Sequence, residues 1–230
     1  MAVALKSTKD AAASGIKVLV HGPAGAGKTR LCATTGGSTL IISAESGLLS
    51  LRGHDIAVLE IKTLAGLYEA YQFVTEDEVG QAFDWICLDS ISEIAEVVLN
   101  HEKKVTVNGK PIDPRQAYGA LSEKMTDILR AFRDLPGRNV YFSCKQERSK
   151  DEQSGAMLYF PSMPGNMLKQ SVGYFFDEVF ALRVEKDADG NPTRWLQTSR
   201  DFNYEAKDRS GVLDMFEPAD LSAIAAKIRA

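Results

Sequence analysis

The chain has 230 residues, of which 44% are hydrophobic and 25% are charged, as in an ordinary globular protein with room for one substantial core. No apolar run approaches the roughly 20 residues of a membrane-spanning helix, and residues 1–14 lack the apolar segment of a secretion signal, so we expect a cytoplasmic protein without a membrane partner. The net charge of −4 argues against nucleic-acid binding by the whole surface, although residues 100–150 hold an excess of Lys and Arg over Asp and Glu. The three cysteines and three histidines show neither a disulfide framework nor the spacing of zinc ligands.

Predicted strands and helices alternate along the chain. Strands are predicted at Ile16–Val20, Thr39–Ser43, Ile56–Ile61, Asp84–Leu88 and Asn139–Ser143. Helices are predicted from Lys28 to about Gly36, over Leu64–Val74, directly after Asp89, over Arg115–Leu135, and from Pro218 to the C-terminus. This alternation predicts a mainly parallel sheet with helices on both faces.

Two hairpins interrupt the alternation. Asn108-Gly109 is a turn signal between Lys104–Val107 and Lys110–Ile112, and Asp189–Pro192 separates two apolar runs near residues 179–184 and 193–198. The later hairpin predicts antiparallel strands at one edge of the sheet. Because no internal repeat or domain boundary is visible, we predict an N-terminal extension over residues 1–15 and one domain over residues 16–230.

A complete phosphate-binding loop follows the first predicted strand: Gly22-Pro23-Ala24-Gly25-Ala26-Gly27-Lys28-Thr29. Its glycines allow backbone N–H groups to turn inward around phosphate oxygens, and the helix that follows adds the positive end of its dipole. Lys28 is expected to reach the outer phosphates and the Thr29 hydroxyl to hold Mg²⁺, and Arg30 completes the predicted nucleotide-binding set. The motif predicts a P-loop ATPase with ATP and Mg²⁺ as its cofactors.

Two carboxylates at the ends of predicted strands complete the expected site. Asp89 follows a buried run and is expected to act on Mg²⁺ directly or through water, a role compatible with capping the next helix. The residue after it is Ser90, so the group that positions the attacking water must come from elsewhere. Glu45, which follows the Thr39–Ser43 strand, is expected to face the γ-phosphate and to be catalytic together with Lys28.

In order and spacing, these segments resemble the RecA family. Ile42–Glu45 resembles the family's strand that ends in the catalytic Glu, and Leu88–Ser90 resembles its metal-site strand. Phe142–Gln146 is similar to the strand whose terminal Gln senses the γ-phosphate, so the resemblance makes Gln146 the candidate sensor. The approach to this Gln is longer than in most members, which leaves Lys145 as an alternative. The resemblance covers roughly residues 16–200 and implies an α/β, RecA-like P-loop NTPase core, with a mainly parallel sheet, flanking helices and antiparallel edge hairpins.

Within that family, the short core without a large added domain looks most like phage-encoded Sak-type single-strand-annealing ATPases. This resemblance implies an ATP-dependent DNA recombination or annealing protein that binds single-stranded DNA. It also implies a homo-oligomer, as a filament or ring, located in the cytoplasm of the host cell. A single-strand-binding protein is a further candidate partner.

The same resemblance implies residues that act across subunits. Gly165–Lys169 resembles the segment after the family's mobile DNA-binding loop, where the lysine reaches the ATP of a neighbouring subunit. Lys207 and Arg209 lie in a later run that is similar to the Sak-type group, and basic residues near this position act across subunit interfaces in related ATPases. Lys169, Lys207 and Arg209 are therefore candidates for action in trans, and surface salt bridges are the alternative for the last two.

Single-stranded DNA is expected to contact the segment from residue 146 to residue 163. Arg148 and Lys150 are candidates for phosphate contacts, and Tyr159 and Phe160 are candidates for stacking on bases. The alternative is a surface hairpin whose aromatic side chains pack on the core.

Two other functions stay open from the sequence. A small nucleoside or nucleotide kinase also begins with a P-loop, but it needs an acceptor pocket and an arginine-bearing lid, and Arg148 is the only arginine in residues 145–155. A nucleotide-gated scaffold in DNA replication or packaging would show no DNA-stimulated turnover. Glu45 argues against the scaffold, because a pure switch does not need a catalytic carboxylate.

Overall fold

The computed structural model describes residues 15–45, 47–152 and 154–230, so the predicted N-terminal extension lies outside the described residues except for Gly15. The strands are β1 (Lys17–Gly22), β2 (Thr39–Ser43), β3 (Ala57–Glu60), β4 (Trp85–Asp89), β5 (Thr106–Val107), β6 (Lys110–Pro111), β7 (Asn139–Lys150), β8 (Met157–Ser162), β9 (Glu178–Lys186), β10 (Pro192–Gln197), β11 (Lys207–Asp208) and β12 (Phe216–Pro218). The helices are α1 (Lys28–Leu31), α2 (Leu64–Glu76), α3 (Glu78–Gln81), α4 (Ile91–Glu102), α5 (Pro114–Arg133), α6 (Asn166–Ser171) and α7 (Leu221–Arg229).

The main sheet has the strand order β12-β10-β9-β1-β7-β4-β2-β3. The strands from β9 to β3 run parallel to one another. Strands β8, β10, β11 and β12 each pair antiparallel with a neighbour, and β5 and β6 form a separate hairpin whose turn residues Asn108 and Gly109 both have positive φ. The architecture confirms the predicted α/β fold with a mainly parallel sheet and antiparallel edge hairpins.

Side chains from the parallel strands alternate between two apolar layers, one on each face of the sheet. In β1, for example, Leu19 belongs to one layer while Val18 and Val20 belong to the other. Helices α2, α4 and α5 cover the first layer, and α1 and α7 contribute to the second. Both faces of the sheet are thus buried, as near-continuous apolar strands require. No helix in the described part of the chain is long and apolar enough to cross a bilayer.

Strand β7 lies between β1, which leads into the phosphate-binding loop, and β4, which ends at Asp89. The register pairs Gly22 with Lys145 and Ser43 with Asp89, so the carboxyl ends of β1, β7, β4 and β2 meet along one edge of the sheet. Ligands of open α/β sheets bind at this kind of edge. The fold therefore gathers the sequence-predicted residues that lie at the ends of these strands.

Several predicted boundaries are wrong, two of them at the edges of the site and the sheet. The sequence predicts a strand that ends at Ser143, but β7 continues to Lys150 because β8 returns beside it and pairs with residues 145–150. The C-terminal helix begins at Leu221 rather than at Pro218, since Pro218 pairs with Trp195 in the sheet. The side chain of Asp220 accepts the N–H of Ala223 at 3.0 Å and so caps the helix.

Candidate functional site

The phosphate-binding loop occupies the turn between β1 and α1. Gly25 and Gly27 have φ values of 75° and 108°, a region that glycine adopts without strain. A Cβ at Gly25 would meet no atom within 4 Å, whereas a Cβ at Gly27 would lie 2.9 Å from Nε of Arg194. The space next to Gly25, which lines the cleft, is therefore open. At Gly27 the loop packs closely against the side chain of Arg194.

Lys28 reaches back across this loop. Its Nζ donates hydrogen bonds to the carbonyl oxygens of Gly22 and Pro23, at 2.8 Å and 3.0 Å. Burial lowers the pKa of Lys28, and the carboxylates of Glu45 and Asp89 act against that shift. The ammonium group is thus held over the loop, where it can bind phosphate oxygens.

Thr29 and Asp89 form the oxygen pair that was predicted to hold a metal ion. The Thr29 hydroxyl donates to Oδ2 of Asp89 at 2.6 Å, and Ser143 donates a second hydrogen bond to Oδ1. Asp89 is only 2% exposed, and burial raises its pKa, with the two hydroxyl donors opposing the shift. Hard oxygen ligands at the end of a strand fit Mg²⁺, which usually takes one or two carboxylates and keeps several waters. Within the described ranges, no cluster of three or more His, Cys, Asp or Glu side chains offers another metal site.

Ser143 was not singled out from the sequence. It is the last residue of the predicted Asn139–Ser143 strand, and it is completely buried. The signal that points to it is its position, because parallel neighbouring strands bring their carboxyl ends to the same edge. It orients Asp89 from the side opposite Thr29.

Glu45 faces the same cleft from the end of β2. The Ser90 hydroxyl donates to Oε1 of Glu45 at 2.5 Å, which orients the carboxylate. The cleft has a volume of about 480 Å³, and its lining includes the phosphate-binding loop, Glu45, Lys145 and Gln146. The structure therefore brings together the candidate catalytic, phosphate-binding and sensor residues.

Lys145 and Gln146, the two candidate sensors, both line the cleft but differ in their contacts. Lys145 forms an ion pair with Glu93. Gln146 has a buried Oε1 without a hydrogen-bond partner, beside the completely buried imidazole of His21. Lys145 would have to give up this ion pair to reach a ligand, whereas the Gln146 Oε1 has no hydrogen bond to break.

Two arginines near α1 extend the site. Arg194 on β10 donates from Nε to the carbonyl oxygen of Ala26 at 2.8 Å, so an edge strand braces the phosphate-binding loop. Arg30, which is exposed, and Arg194, which is half-buried, line a smaller cleft of about 270 Å³ that shares Gly27 with the main cleft. Arg30 was predicted from the motif, whereas Arg194 is far along the chain and has no local sequence signal.

The candidate DNA-binding residues lie on the β7–β8 hairpin, on two different faces. Arg148 pairs across the strands with Tyr159, and Lys150 pairs with Met157, so Arg148, Lys150 and Tyr159 share one face. Phe160 points to the other face, where Nζ of Lys169 lies 4.8 Å from its ring centroid. Because side chains alternate along β8, the two stacking candidates, Tyr159 and Phe160, lie on opposite faces of the hairpin.

The three candidates for action in trans are all engaged within the chain. Lys169 pairs with Glu147 at 2.5 Å, and Arg209 pairs with Asp177 at 2.6 Å. Lys207 donates from Nζ to the carbonyl oxygens of residues 173 and 176, at 2.8 Å and 2.5 Å. Burial lowers the pKa of Lys207. In this chain these cations join α6 and the segments next to it to the rest of the fold.

Comparisons with known proteins give a family for this arrangement. The family model AAA_24, an AAA domain, matches residues 14–210. Among solved structures, the chain is similar to the flagellar accessory protein FlaH from Methanocaldococcus jannaschii, at 12% identity and a TM-score of 0.45, over 91% of this chain and 88% of that one. It is also similar to the KaiC-like protein PH0186 from Pyrococcus horikoshii OT3, at 16% identity and a TM-score of 0.45, over 84% of each chain. A comparison with curated proteins gave no significant match.

Proposed function

We propose that this chain, an ATPase of the AAA_24 family of AAA domains, acts as a RecA-like P-loop ATPase that couples ATP hydrolysis to the binding of single-stranded DNA in recombination or annealing. The observation that carries the proposal is the course of β7. Its middle forms a wall of the nucleotide cleft at Lys145 and Gln146, and its end continues into an exposed hairpin that carries Arg148 and Lys150. One strand therefore joins the phosphate site to a basic surface.

The residues of the cleft have the arrangement that ATP hydrolysis needs. Water must attack the γ-phosphorus in line with the leaving ADP oxygen and must lose a proton, so that ADP and inorganic phosphate are formed. Glu45, oriented by Ser90, is the carboxylate that positions this water and accepts its proton. Lys28 and the backbone N–H groups of the loop bind the phosphate oxygens, which hold the reacting group in place.

Thr29 and Asp89 are the residues that would hold Mg²⁺. When bound, the ion neutralises charge on the phosphate oxygens. Ser143 keeps the Asp89 carboxylate in the orientation that this role requires.

Coupling to DNA follows from the geometry of a strand. Gln146 and Arg148 are two residues apart, so their side chains lie on the same face of β7. A γ-phosphate that hydrogen-bonds to Gln146 stabilises one position of this strand, and loss of the phosphate releases it. Such coupling needs the hairpin to contact DNA differently in the two states.

The resemblance to Sak-type proteins supports the wider part of the proposal. We expect the ATPase to act as a homo-oligomer, in a filament or ring, in the cytoplasm of a phage-infected host, together with a single-strand-binding protein. A role in trans for Lys169, Lys207 or Arg209 requires each to exchange its contact within the chain for one on a neighbouring subunit.

The proposal is tested by steady-state ATP hydrolysis with and without a single-stranded deoxythymidine oligonucleotide. Lys28→Ala serves as the blank, because it removes the cation that binds the phosphates. We expect turnover of the natural chain to rise when the oligonucleotide is added, and the blank to show no turnover in either condition.

Two results would overturn the DNA-coupled function while leaving the ATPase intact. Turnover that is indifferent to single-stranded DNA, together with no binding of the oligonucleotide, would favour a nucleotide-gated scaffold. Transfer of the γ-phosphate to an added nucleoside or nucleotide, in place of its release as inorganic phosphate, would favour a kinase.

A further inference from the structure

A stacked column of side chains stands beside the β7–β8 hairpin. The rings of Tyr159 and Tyr204 are nearly parallel, with centroids 4.6 Å apart and an angle of 12° between their planes. The guanidinium carbon of Arg183 lies 4.1 Å from the Tyr204 centroid. Tyr204 is thus covered by Tyr159 on one face and by Arg183 on the other, and Tyr159 forms the end of the column.

The backbone holds this column in place. Tyr159 donates its N–H to the carbonyl oxygen of Asn203 at 2.6 Å, and Glu205 donates its N–H to the carbonyl oxygen of Tyr159 at 2.9 Å. The Asn203 side chain adds a third bond, to the carbonyl oxygen of Met157 at 2.8 Å. The loop that carries Tyr204 therefore pairs with the free edge of β8, and the rings are stacked before any ligand arrives. A preformed surface loses little conformational entropy when it binds.

A cleft lies beside the column. Tyr159 and Tyr204 both line this space of about 340 Å³, together with Phe160, Tyr174 and Arg200. Tyr174 is 81% exposed, and no other aromatic ring or cation among the described residues covers the outer face of Tyr159. The volume is near the lower limit of about 300 Å³ for small-ligand pockets, so it suits one unstacked nucleobase.

Side chains of both charges surround the column. Arg148 is the cross-strand neighbour of Tyr159, and Arg200 is exposed and forms no hydrogen bond or ion pair within the described ranges. Three carboxylates offset this charge. Glu185 lies 3.6 Å from Arg183, Asp201 accepts the N–H of Tyr204 at 2.6 Å, and Glu205 lines the cleft near Arg200. Core packing does not explain why an exposed tyrosine, Tyr174, and an arginine without a hydrogen bond, Arg200, lie beside the same cleft.

We propose that the Tyr159–Tyr204–Arg183 column is a base-stacking platform for single-stranded DNA. One unstacked base lies on the outer face of Tyr159, and the phosphates on either side of it meet Arg148 and Arg200. Aromatic side chains flanked by cations bind single strands without sequence preference, because every base has a flat face. The inference rests on the proposed function and goes beyond it. The stacking surface consists of Tyr159 supported by Tyr204 and Arg183, and Phe160 is not part of it.

The test measures the dissociation constants of the full chain for two fluorescein-labelled probes, a deoxythymidine oligonucleotide and the same strand with abasic sites. We expect Tyr159→Ala and Tyr204→Ala to weaken binding of the first probe by about tenfold, the loss typical of one stacked base. Tyr159→Phe keeps the ring and should keep the affinity. On the abasic strand, Tyr159→Ala and the natural chain should bind equally, because no base is present to stack.

Two controls separate stacking from charge and from general damage. Arg148→Ala should reduce the slope of log affinity against log salt by about 0.7, whereas Tyr159→Ala should leave that slope unchanged. Tyr118→Ala removes a half-exposed tyrosine that also lies near a cation, Lys103, but stands on α5 away from the platform. It should not alter affinity for either probe, and circular dichroism melting curves confirm that the platform variants fold.

The outcomes distinguish this inference from the proposed function. If the natural chain binds neither probe, the DNA-coupled function itself is wrong. If the natural chain binds the oligonucleotide but Tyr159→Ala binds it equally well, the platform is wrong while the proposed function stands. If Tyr159→Ala instead changes only the sedimentation of the protein, the column belongs to a contact between copies of the chain, and the platform is again wrong.

Discussion

The Nε2 atom of His21 lies 2.7 Å from the carbonyl oxygen of Glu205, a contact that joins the end of β1 to the loop carrying Tyr204. Burial lowers the pKa of His21 to about 4, so the ring is neutral at pH 7 and its Nε2–H group donates to the carbonyl. Its Nδ1 is then an acceptor beside Gln146, and a half-turn of the Gln146 amide brings an N–H group to it. The imidazole thus stands between the nucleotide cleft and the base-stacking platform.

We expect His21→Ala to lower the free energy of unfolding by about 2–4 kcal/mol, because it leaves a cavity and removes the donor to the Glu205 carbonyl. Denaturant unfolding at pH 7 measures this loss. The same variant should also reduce the effect of a non-hydrolysable ATP analogue on affinity for single-stranded DNA. Unfolding within about 0.5 kcal/mol of the natural chain would show that the contact contributes little.

Glu178 makes stability depend on pH. The side chain is 2% exposed, and burial, with the neighbouring Asp208 adding to it, raises its pKa from 4.5 to about 8. The folded chain therefore binds one more proton than the unfolded chain between these two values, so the free energy of unfolding falls as pH rises from about 4.5 to about 8. Glu178→Gln keeps a donor toward Asp208 but does not ionise, and it should raise the free energy of unfolding by about 4 kcal/mol at pH 8.

Unfolding of this variant and of the natural chain at pH 5 and pH 8 gives the comparison, and the difference should be small at pH 5. Glu185→Gln, on the exposed end of the same strand, is the matched control and should change stability by less than about 0.5 kcal/mol at either pH. An equal gain for Glu178→Gln at both pH values would contradict the titration of Glu178.

Glu45→Gln should abolish hydrolysis and retain nucleotide binding. The amide oxygen can still accept the Ser90 hydroxyl, so the side chain keeps its place, but it is a poor base. We expect turnover to fall by about 10²-fold or more, while the affinity for a fluorescent ATP analogue changes little. Phosphate release within tenfold of the natural rate would remove Glu45 from the catalytic role.

Ser143→Ala tests the residue that the sequence did not reveal. The substitution removes one of the two hydroxyl groups that donate to the buried Asp89 carboxylate, and only the Thr29 hydroxyl is left. We expect the Mg²⁺ concentration for half-maximal ATP hydrolysis to rise severalfold, since partners of a ligating carboxylate tune metal affinity. A magnesium titration that superimposes on that of the natural chain would show that Ser143 serves packing only.

Local patterns predicted the parts of the site that lie within one segment. The P-loop lies in a single turn, and Asp89 and Glu45 each follow a buried apolar run, so strand periodicity was enough to locate them. Ser143 needed the strand order, because its role depends on β7 lying between β1 and β4.

Local sequence patterns do not predict contacts between distant segments. His21 and Glu205 are 184 residues apart, and Arg194 reaches Ala26 from 168 residues away. Tyr204 lies in an irregular segment with no periodicity, and its stacking on Tyr159 depends on the pairing of its loop with β8. Pro218 favours the first turn of a helix and so predicts too early a start for α7, because pairing of β12 with β10 prevails there.

The unbroken course of β7 restricts how this protein can change its length. Adding or deleting one residue between Gln146 and Arg148 would move every later side chain of β7 to the opposite face of the hairpin. Arg148 would then lie on the same face as Phe160. An insertion of two residues would keep the phase but move the basic surface farther from the phosphates. Length variation among relatives should therefore collect at the hairpin tip, beyond Lys150, where it disturbs neither site.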